Sequence, residues 1–343
     1  MRFTEFGQTV HALIPRPDPQ LLSIVIPAYN EGPTVPFLRA ELTQFIDGLP
    51  FRSEVVIVND GSSDETLPRL LEWALDDPRI RVVHLSRNFG HQIAATAGLD
   101  KASGDAIVLI DADLQDPLPV ILSMLERYRE GYDVVYGQRE SRDGESAFKL
   151  ATAWIFYRLM RTLVYKSLPP DVGDFRLLSR QCLDALRHMR EQHRFLRGMV
   201  TWVGYSQTAV RYKRAKRVAG ETKYPLRKML KFAWTAAVSF STLPLKASMM
   251  LGLLMAGLGA EEAIRAILSK LLGWPTVRGW SSLMILTSMA SGTILLCVGV
   301  LGEYIGRIYE EVKARPLYLV SAVLTSEQLE PSQRVTQASE SKH

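Results

Sequence analysis

The sequence predicts an α/β protein built on a doubly wound, mostly parallel β-sheet and followed by a hairpin of two membrane-spanning helices. Five short apolar runs alternate with segments of helical spacing in the first half of the chain. Most of these runs are continuously apolar rather than alternating, which is typical of parallel strands that helices cover on both faces. The hairpin is predicted because residues 279–302 contain no charged side chain and are long enough to cross a bilayer.

Helical segments separate the predicted strands, and three of these segments have a start signal. Pro33 stands where a first helical turn would begin, and Ser62-Ser-Asp-Glu65 matches a capping box before a helix over 67–75. Pro117 precedes a helix over 118–129. Repeated strand–helix units predict parallel strands joined by right-handed crossovers. The predicted strands are 22–27, 54–60, 80–85, 106–111 and 133–136.

Three of these strands end in polar clusters, which we expect to meet at one edge of the sheet, where such sheets bind ligands. The clusters are Pro27-Ala-Tyr-Asn-Glu31, Asn59-Asp-Gly-Ser62 and Asp111-Ala-Asp113. If the strand period continues, Asp111 and Asp113 point to the same side. Two hard oxygen ligands suit Mg²⁺ or Mn²⁺, whose shell substrate phosphates can complete. An acidic strand end that only caps the next helix is the alternative.

Several classes of site are disfavoured. Cys182 and Cys297 lie in different regions, so no disulfide framework or Cys-based metal site is indicated. The chain has no G-x-x-x-x-G-K-[ST] motif and no G-x-G-x-x-G after the first strand, so phosphates must be met by metal and basic side chains. Residues 1–20 lack the pattern of a signal peptide and are expected to form an N-terminal tail, which leaves the domain over 21–224 in the cytoplasm.

The second half predicts a membrane region. Basic and aromatic residues alternate between 213 and 240, which favours an anionic membrane surface over nucleic acid and makes 225–242 an amphipathic juxtamembrane segment. Within 243–306 we expect helices over about 245–268 and 279–302, with both chain ends inside by charge counting. The first helix carries Glu261, Glu262 and Arg265, so an interfacial helix is the alternative. Residues 307–343 are expected to be cytoplasmic and disordered after about 320.

Short motifs stand in a fixed order between about residues 22 and 318. They are 23–31 (SIVIPAYNE), 58–64 (VNDGSSD), 86–90 (SRNFG), 111–117 (DADLQDP), 173–176 (GDFR), 220–224 (GETKY) and 301–311 (LGEYIGRIYEE). Together they resemble the family 2 glycosyltransferases that act on polyprenyl phosphates. The resemblance implies a GT-A fold, a nucleoside-diphosphate sugar donor, a lipid phosphate acceptor, Mg²⁺ or Mn²⁺, a multi-pass place in the inner (plasma) membrane and a homo-tetramer.

The same resemblance implies a role for individual residues. It assigns the nucleotide base and ribose to Pro27, Tyr29, Glu31 and Asp60, and the metal on the donor diphosphate to Asp111, Asp113 and Gln115. Asp113 and Asp174 would be the catalytic carboxylates, and Lys223 would close on the donor. Arg139 matches the arginine that binds the acceptor phosphate. Further phosphate candidates are Arg142, Lys149, Arg176 and Arg214, for which a solvated surface charge is the alternative.

The expected function is an inverting transfer of a sugar, UDP-linked and glucose-like, to undecaprenyl phosphate. A phosphate monoester has its second pKa at about 6, so the acceptor needs no carboxylate base at neutral pH. One alternative is a processive polysaccharide synthase, although the chain lacks the Gln-x-x-Arg-Trp motif and the additional spans of that class. The other is a non-catalytic membrane scaffold with a transferase-like domain. No nucleic-acid partner is expected.

Overall fold

An eight-stranded sheet organises one of two units in the computed structural model, which describes residues 2–6, 9–139, 172–213, 243–272 and 279–328. The described residues before 214 and after 315 form the first unit, and those from 243 to 315 form the second. In chain order the elements are β1 (Arg2–Phe6), β2 (Thr9–Leu13), β3 (Leu21–Ala28), α1 (Val35–Asp47), β4 (Arg52–Asn59), α2 (Thr66–Asp76), β5 (Ile80–Leu85), α3 (His91–Lys101), β6 (Ala106–Leu109), α4 (Val120–Arg129), β7 (Val134–Arg139), β8 (Val172–Ser179), α5 (Arg180–His188), α6 (Leu196–Trp202), β9 (Gln207–Tyr212), α7 (Leu243–Leu271), α8 (Trp280–Val312) and β10 (Val320–Leu324).

The sheet has the strand order β10-β5-β4-β3-β6-β8-β7-β9. Strands β3 to β6 are mutually parallel, β9 is parallel to β7, and β8 runs antiparallel to both of its neighbours. The five predicted strands are therefore confirmed as β3 to β7, and the predicted mostly parallel α/β sheet with them. The fourth strand ends at Leu109, earlier than expected.

The two ends of the first unit differ from the sequence prediction. Part of the expected N-terminal tail forms an antiparallel hairpin, in which Arg2 pairs with Leu13 and Phe6 with Thr9. Disorder after about residue 320 is also wrong for the next residues, because Val320–Leu324 is strand β10 and pairs antiparallel with β5. Strands added at a sheet edge depend on a distant partner, which local composition does not reveal.

Apolar side chains from both faces of the sheet make the core. Helix α1 turns Leu38, Leu42 and Ile46 inward, and α2 contributes Trp73. The predicted capping box before α2 is wrong in detail. The Asp64 side chain accepts the Thr66 backbone N–H at 3.0 Å instead, and the Ser62 hydroxyl is used by the loop after β3.

The second unit consists of the two long helices α7 and α8, of 29 and 33 residues. The thiol of Cys297 on α8 donates to the carbonyl oxygen of Ser248 on α7 at 3.3 Å, so these helices lie side by side. Among the described residues, only Ile285–Val312 of α8 is long and apolar enough to cross a membrane. The two helices of the predicted hairpin thus form, but two crossings are not confirmed. The juxtamembrane segment 225–242 lies outside the described residues.

A tight approach of two loops gives the first testable prediction. Gly61 has φ +65°, and a Cβ there would lie 2.4 Å from the backbone carbon of Arg87. Gly61→Ala should therefore lower the free energy of unfolding by at least about 1–2 kcal/mol, the cost of left-handed backbone alone. Gly48→Ala is the matched control, because its φ is −83° and its nearest neighbour is 3.5 Å away. Thermal unfolding of the purified full chain would measure both, and equal Tm values would contradict the prediction.

Candidate active site

The loops that follow β3 and β4 are tied together at the carboxyl edge of the sheet. The Asn30 backbone N–H donates to the Ser62 hydroxyl at 3.0 Å, and the Ser63 N–H donates to the Asn30 side chain at 2.9 Å. Gly32 N–H donates to Asp64 at 3.0 Å. Asn30 holds a positive φ of 54°, a conformation that asparagine tolerates better than most residues. The predicted meeting of these two polar clusters is confirmed.

The residues expected to hold the nucleotide line this edge. Pro27 is buried in β3, whereas Tyr29 beyond the strand is 48% exposed. The Glu31 carboxylate accepts the Thr34 hydroxyl at 2.9 Å and is fixed at the start of α1. An exposed ring beside a fixed carboxylate presents a stacking surface and a hydrogen-bond acceptor, which are the groups that a nucleobase and a ribose can use.

Asp60 fixes the loop that connects β5 to α3. Its buried carboxylate accepts the backbone N–H groups of Phe89 at 2.7 Å and Gly90 at 2.9 Å. Burial raises the pKa of Asp60 although these two hydrogen bonds oppose it. Gly90 has φ +95°, which lets the chain turn directly into α3. The motif Ser86–Gly90 therefore lies against the donor candidate Asp60.

The Asp111–Asp113 segment forms a sharp turn rather than continuing the strand. The Asp113 carboxylate accepts the Gln115 backbone N–H at 3.2 Å, and Leu114 between them has φ +55°. A bulky residue in the left-handed region costs free energy and persists where the surrounding structure holds it. Leu114 is held because its side chain is buried in the core. The turn thus presents two carboxylates at the sheet edge.

His91, at the first position of α3, stands between the metal-candidate loop and β8. Its Nε2 lies 3.5 Å from Asp111 and 3.4 Å from Asp174. Burial alone would lower the pKa of His91, but the two carboxylates outweigh it and raise the pKa. The histidine therefore links Asp111 to Asp174.

Asp174 is buried at 8% exposure and is held by three elements. Arg197 of α6 donates its Nε to this carboxylate at 2.9 Å, and Gln92 of α3 donates its amide at 3.1 Å. Arg176 of β8 lies 3.8 Å away. Burial would raise the pKa of Asp174, but the charges of Arg197, His91 and Arg176 hold it well below the usual range. An ionised, fully engaged carboxylate of this kind orients other groups and is a poor proton acceptor near neutral pH.

Arg176 does not lie where its predicted role requires. It is 3% exposed, and its guanidinium donates to the carbonyl oxygens of Gly173 at 3.0 Å and Asp174 at 3.3 Å. A phosphate contact needs donors that face the site. The structure therefore makes Arg176 an internal support of β8 and Asp174, which corrects the expectation of an acceptor contact.

Arg139 is joined to the Asp111–Pro117 loop through Tyr212. The Tyr212 hydroxyl donates to Asp116 at 2.5 Å. Burial would lower the pKa of Arg139, yet the nearby Tyr212 hydroxyl and the charge of Asp116 raise it, so the guanidinium is charged. The arginine predicted to hold the acceptor phosphate is thus fixed beside the carboxylate loop. The other predicted basic residues, Arg142, Lys149, Arg214 and Lys223, lie outside the described residues.

The chemistry of the carboxylates at this edge suits a divalent cation. Burial is the main cause that raises the pKa of Asp111 to about 6, and the negative charges of Asp174, Asp116 and Asp113 contribute to the same shift. Within the described residues no three His, Cys, Asp or Glu side chains form a ready metal cage. Mg²⁺ binds through one or two carboxylates plus substrate phosphates, so a pair such as Asp111 and Asp113 is the donor set that this chemistry requires.

Four residues of the site were not predicted: His91, Gln92, Arg197 and Tyr212. The first two directly follow the Ser86–Gly90 motif, so their place at a helix start next to a site loop was a usable signal. Nothing near Arg197 or Tyr212 in the sequence pointed to Asp174 or Asp116, because these contacts join residues 23 and 96 positions apart.

Comparison with known proteins identifies the class. The profile of glycosyl transferase family 2 matches residues 23–187. The uncharacterized glycosyltransferase YkcC of Bacillus subtilis is 49% identical over 87% of this chain and 92% of its own length. The SfII prophage-derived bactoprenol glucosyl transferase of Shigella flexneri is 38% identical over 87% and 97%. The chain therefore belongs to glycosyl transferase family 2 and is a glycosyltransferase.

Two solved structures show a distant likeness to this chain. A glucosyl-3-phosphoglycerate synthase of Mycobacterium tuberculosis, crystallised with Mn²⁺, UDP-glucose and phosphoglyceric acid, has a TM-score of 0.46 and 20% identity over 64% of this chain and 78% of that chain. The mannosyltransferase PcManGT of Pyrobaculum calidifontis, in complex with GDP-mannose and Mn²⁺, has a TM-score of 0.42 and 17% identity over 84% and 89%.

The second prediction concerns Asp174. Asp174→Asn should lower the free energy of unfolding by about 3–5 kcal/mol, because Arg176 and Arg197 would lose their counter-charge in a buried setting. Since the folded-state pKa lies well below 3.8, the wild type keeps this contribution above about pH 4 and loses it only in stronger acid. The Tm difference should thus be largest between about pH 4 and 6, shrink in stronger acid as Asp174 is protonated, and become smaller again as pH rises through the raised pKa of His91, whose charged form Asp174 stabilises in the wild type alone.

Asp184→Asn is the matched control, because Asp184 is half exposed in its ion pairs with Arg180 and Arg187. Exposed pairs contribute at most about 1 kcal/mol. If the two variants had the same Tm, Asp174 would not hold the site as described.

Proposed function

We propose that this glycosyltransferase moves a hexose, with inversion, from a nucleoside-diphosphate sugar to a polyprenyl phosphate at the cytoplasmic face of a membrane. The observation that carries the proposal is the position of Arg139. The charged guanidinium of Arg139 lies beside a carboxylate loop that is suited to a metal-bound diphosphate. The acceptor phosphate and the donor diphosphate would therefore have different partners in one site.

The relatives support the choice of acceptor and sugar. Proteins named bactoprenol glucosyl transferase cover most of this chain at 36–38% identity. A glucose donor, with UDP as its nucleotide, and undecaprenyl phosphate as acceptor are therefore the first substrates to test. Asp60, Tyr29 and Glu31 are the residues that we assign to the nucleoside.

The chemistry needs no protein base. A phosphate monoester is already ionised near neutral pH, since its second pKa is about 6. Its oxygen attacks the anomeric carbon while the nucleoside diphosphate departs from the opposite face, so one bond forms as the other breaks and the configuration inverts. Arg139 would hold the attacking phosphate, and Asp174 would orient His91 and Arg197 around it. Positioning of this kind supplies much of the rate enhancement.

Asp111, Asp113 and Gln115 are the residues that would hold Mg²⁺ or Mn²⁺. When bound, such a cation neutralises charge that develops on the leaving diphosphate. The high pKa of Asp111 supports this assignment, because a cation would stabilise the carboxylate in its ionised form.

A lipid acceptor requires the enzyme to work at the membrane. Helix α8 supplies one candidate span. Helix α7, with 29 residues, reaches about 43 Å at ~1.5 Å per residue and is long enough to return across the bilayer. Its charged residues Glu261 and Arg265 stand one helical turn apart, where opposite charges pair. Two crossings with both ends in the cytoplasm remain our proposal.

A non-catalytic scaffold is a weaker proposal. A scaffold would have no need to hold a buried Asp174 among His91, Gln92 and Arg197, which costs desolvation free energy. Sustained sugar transfer by the purified protein would exclude the scaffold.

The experiment for the acceptor uses purified full-length protein, undecaprenyl phosphate and a panel of UDP- and GDP-linked sugars. The wild type should form a lipid-linked hexose. Arg139→Ala should lower acceptor kcat/KM by about 10- to 150-fold, the worth of a charge-assisted contact of roughly 1.5–3 kcal/mol, and leave donor KM nearly unchanged. Arg139→Lys should recover only part of the loss, since lysine lacks the planar fork.

Arg211→Ala is the control, because Arg211 is an exposed arginine on the strand next to Arg139. A donor KM that rises as much as the acceptor KM in Arg139→Ala would reject the acceptor role. No lipid product with any donor would reject the proposed function itself.

The metal assignment gives a further prediction. Asp113→Ala should lower kcat by at least about 10²-fold, because the diphosphate would lose charge stabilisation worth several kcal/mol. Thermal unfolding should show Mn²⁺-dependent stabilisation in wild type with a nucleoside diphosphate, and none in Asp113→Ala. Asp76→Ala, which removes a surface carboxylate paired with Arg39, serves as the control. Full activity of Asp113→Ala, or of wild type in excess EDTA, would contradict the metal assignment.

A further inference from the structure

The segment that follows α8 re-enters the sheet next to the active-site loop. Strand β10 pairs with β5 from Leu324–Val82 to Val320–Leu85. The pairing continues one residue further, because the Ser86 backbone N–H donates to the Leu319 carbonyl oxygen at 3.0 Å. Ser86 is the first residue of the motif whose N–H groups Asp60 accepts. The C-terminal segment thus holds the start of the loop that lies against the donor-site candidate.

The same segment also holds the far end of α3. The Tyr318 hydroxyl donates to the Asp100 carboxylate at 2.8 Å, and Arg190 binds the same oxygen at 2.6 Å. Asp100 lies in the last turn of α3, where the Arg187 guanidinium donates to the carbonyl oxygens of Leu99, Asp100 and Ala102. This cluster fixes one end of the helix whose other end carries His91 and Gln92.

Strand β5, the loop after it and α3 form one continuous stretch of chain, the β5–α3 piece. The C-terminal segment binds this piece at two points, Ser86 and Asp100. This piece carries the partners of three site residues, because Phe89 and Gly90 bind Asp60 while His91 contacts Asp111 and Asp174. A small shift of α3 would move these groups together. Displacements of about 1 Å can cost 10²-fold in rate when they disturb a positioned site.

We infer that Tyr318, with β10, is a positioning element of the donor site. It touches no substrate; it fixes the β5–α3 piece so that Asp60 and His91 keep their places. The inference rests on the proposed function for the identity of the donor site. It also gives the residues directly after the candidate membrane span a role in sugar transfer.

Tyr318→Phe tests the inference, because it keeps the ring and removes only the hydroxyl that binds Asp100. We expect donor KM to rise by a factor of about 3 to 10, the equivalent of one net hydrogen bond, and kcat to fall by up to a similar factor because His91 shifts as well, while acceptor KM changes less than about twofold. Tyr309→Phe is the matched control, since Tyr309 lies on α8 with its ring against Lys313. A purely structural role would lower Tm and raise both KM values alike, and that outcome would overturn the inference.

Hydrogen exchange supplies a readout that needs no substrate. The backbone amides of Phe89 and Gly90 should exchange several-fold faster in Tyr318→Phe than in wild type, while those of β7 stay unchanged. In an Asp100→Ala background, Tyr318→Phe should add nothing to either readout, because its partner is already gone. Unchanged exchange at Phe89 and Gly90 would overturn the inference. If the transfer assay finds no substrate, the proposed function fails, and exchange still decides the role of Tyr318.

Discussion

The buried, ionised carboxylate of Asp174 is the interaction on which the site depends. A carboxylate at 8% exposure keeps its charge only where cations and hydrogen-bond donors replace water. Here they come from three elements: Arg197 on α6, Gln92 and His91 on α3, and Arg176 on β8 itself. Gln92 also accepts the Leu196 N–H at 3.0 Å and so ties the start of α6 to α3. Removing the charge would loosen all of these contacts together.

The need for partners around a buried charge also shows which parts of the fold could be predicted from the sequence. Strands β3 to β7 are apolar runs bounded by turns, so local composition is sufficient to find them. Strand β8 contains Asp174 and Arg176, and these charged residues interrupt the apolar pattern by which a strand is predicted. The strand lies antiparallel between β6 and β7. Those charges are tolerated because they satisfy each other and the adjacent carbonyl groups. That compensation exists only in the folded chain, and a sequence pattern cannot display it.

The site residues also differ in whether the sequence alone could predict them. Asp60, Asp111 and Asp113 directly follow apolar strands, so topology alone places them at one edge. His91 directly follows the Ser86–Gly90 motif, so the sequence could have indicated its place in the site. Arg197 and Tyr212 could not, since their partners are set by how α6 and β9 pack against distant strands. Arg176 was misassigned because a conspicuous arginine in a site motif suggests a phosphate, whereas its neighbours show that it supports the backbone of β8.

Charge balance connects these observations to the proposed chemistry. The site edge contains the carboxylates of Asp111, Asp113 and Asp116. Burial raises the pKa of Asp111 to about 6, and repulsion from the neighbouring carboxylates adds to that shift. A bare diphosphate would add to this repulsion, so on the proposed function the donor needs a divalent cation to enter beside them. On the same proposal, the acceptor phosphate would meet a different environment, because Arg139 brings a fixed positive charge on β7. On the proposed function, electrostatics would therefore distinguish the two substrates before any sugar or lipid is recognised. Asp174, held ionised by His91 and Arg197, belongs to the donor side of this division, because its negative charge acts on Asp111.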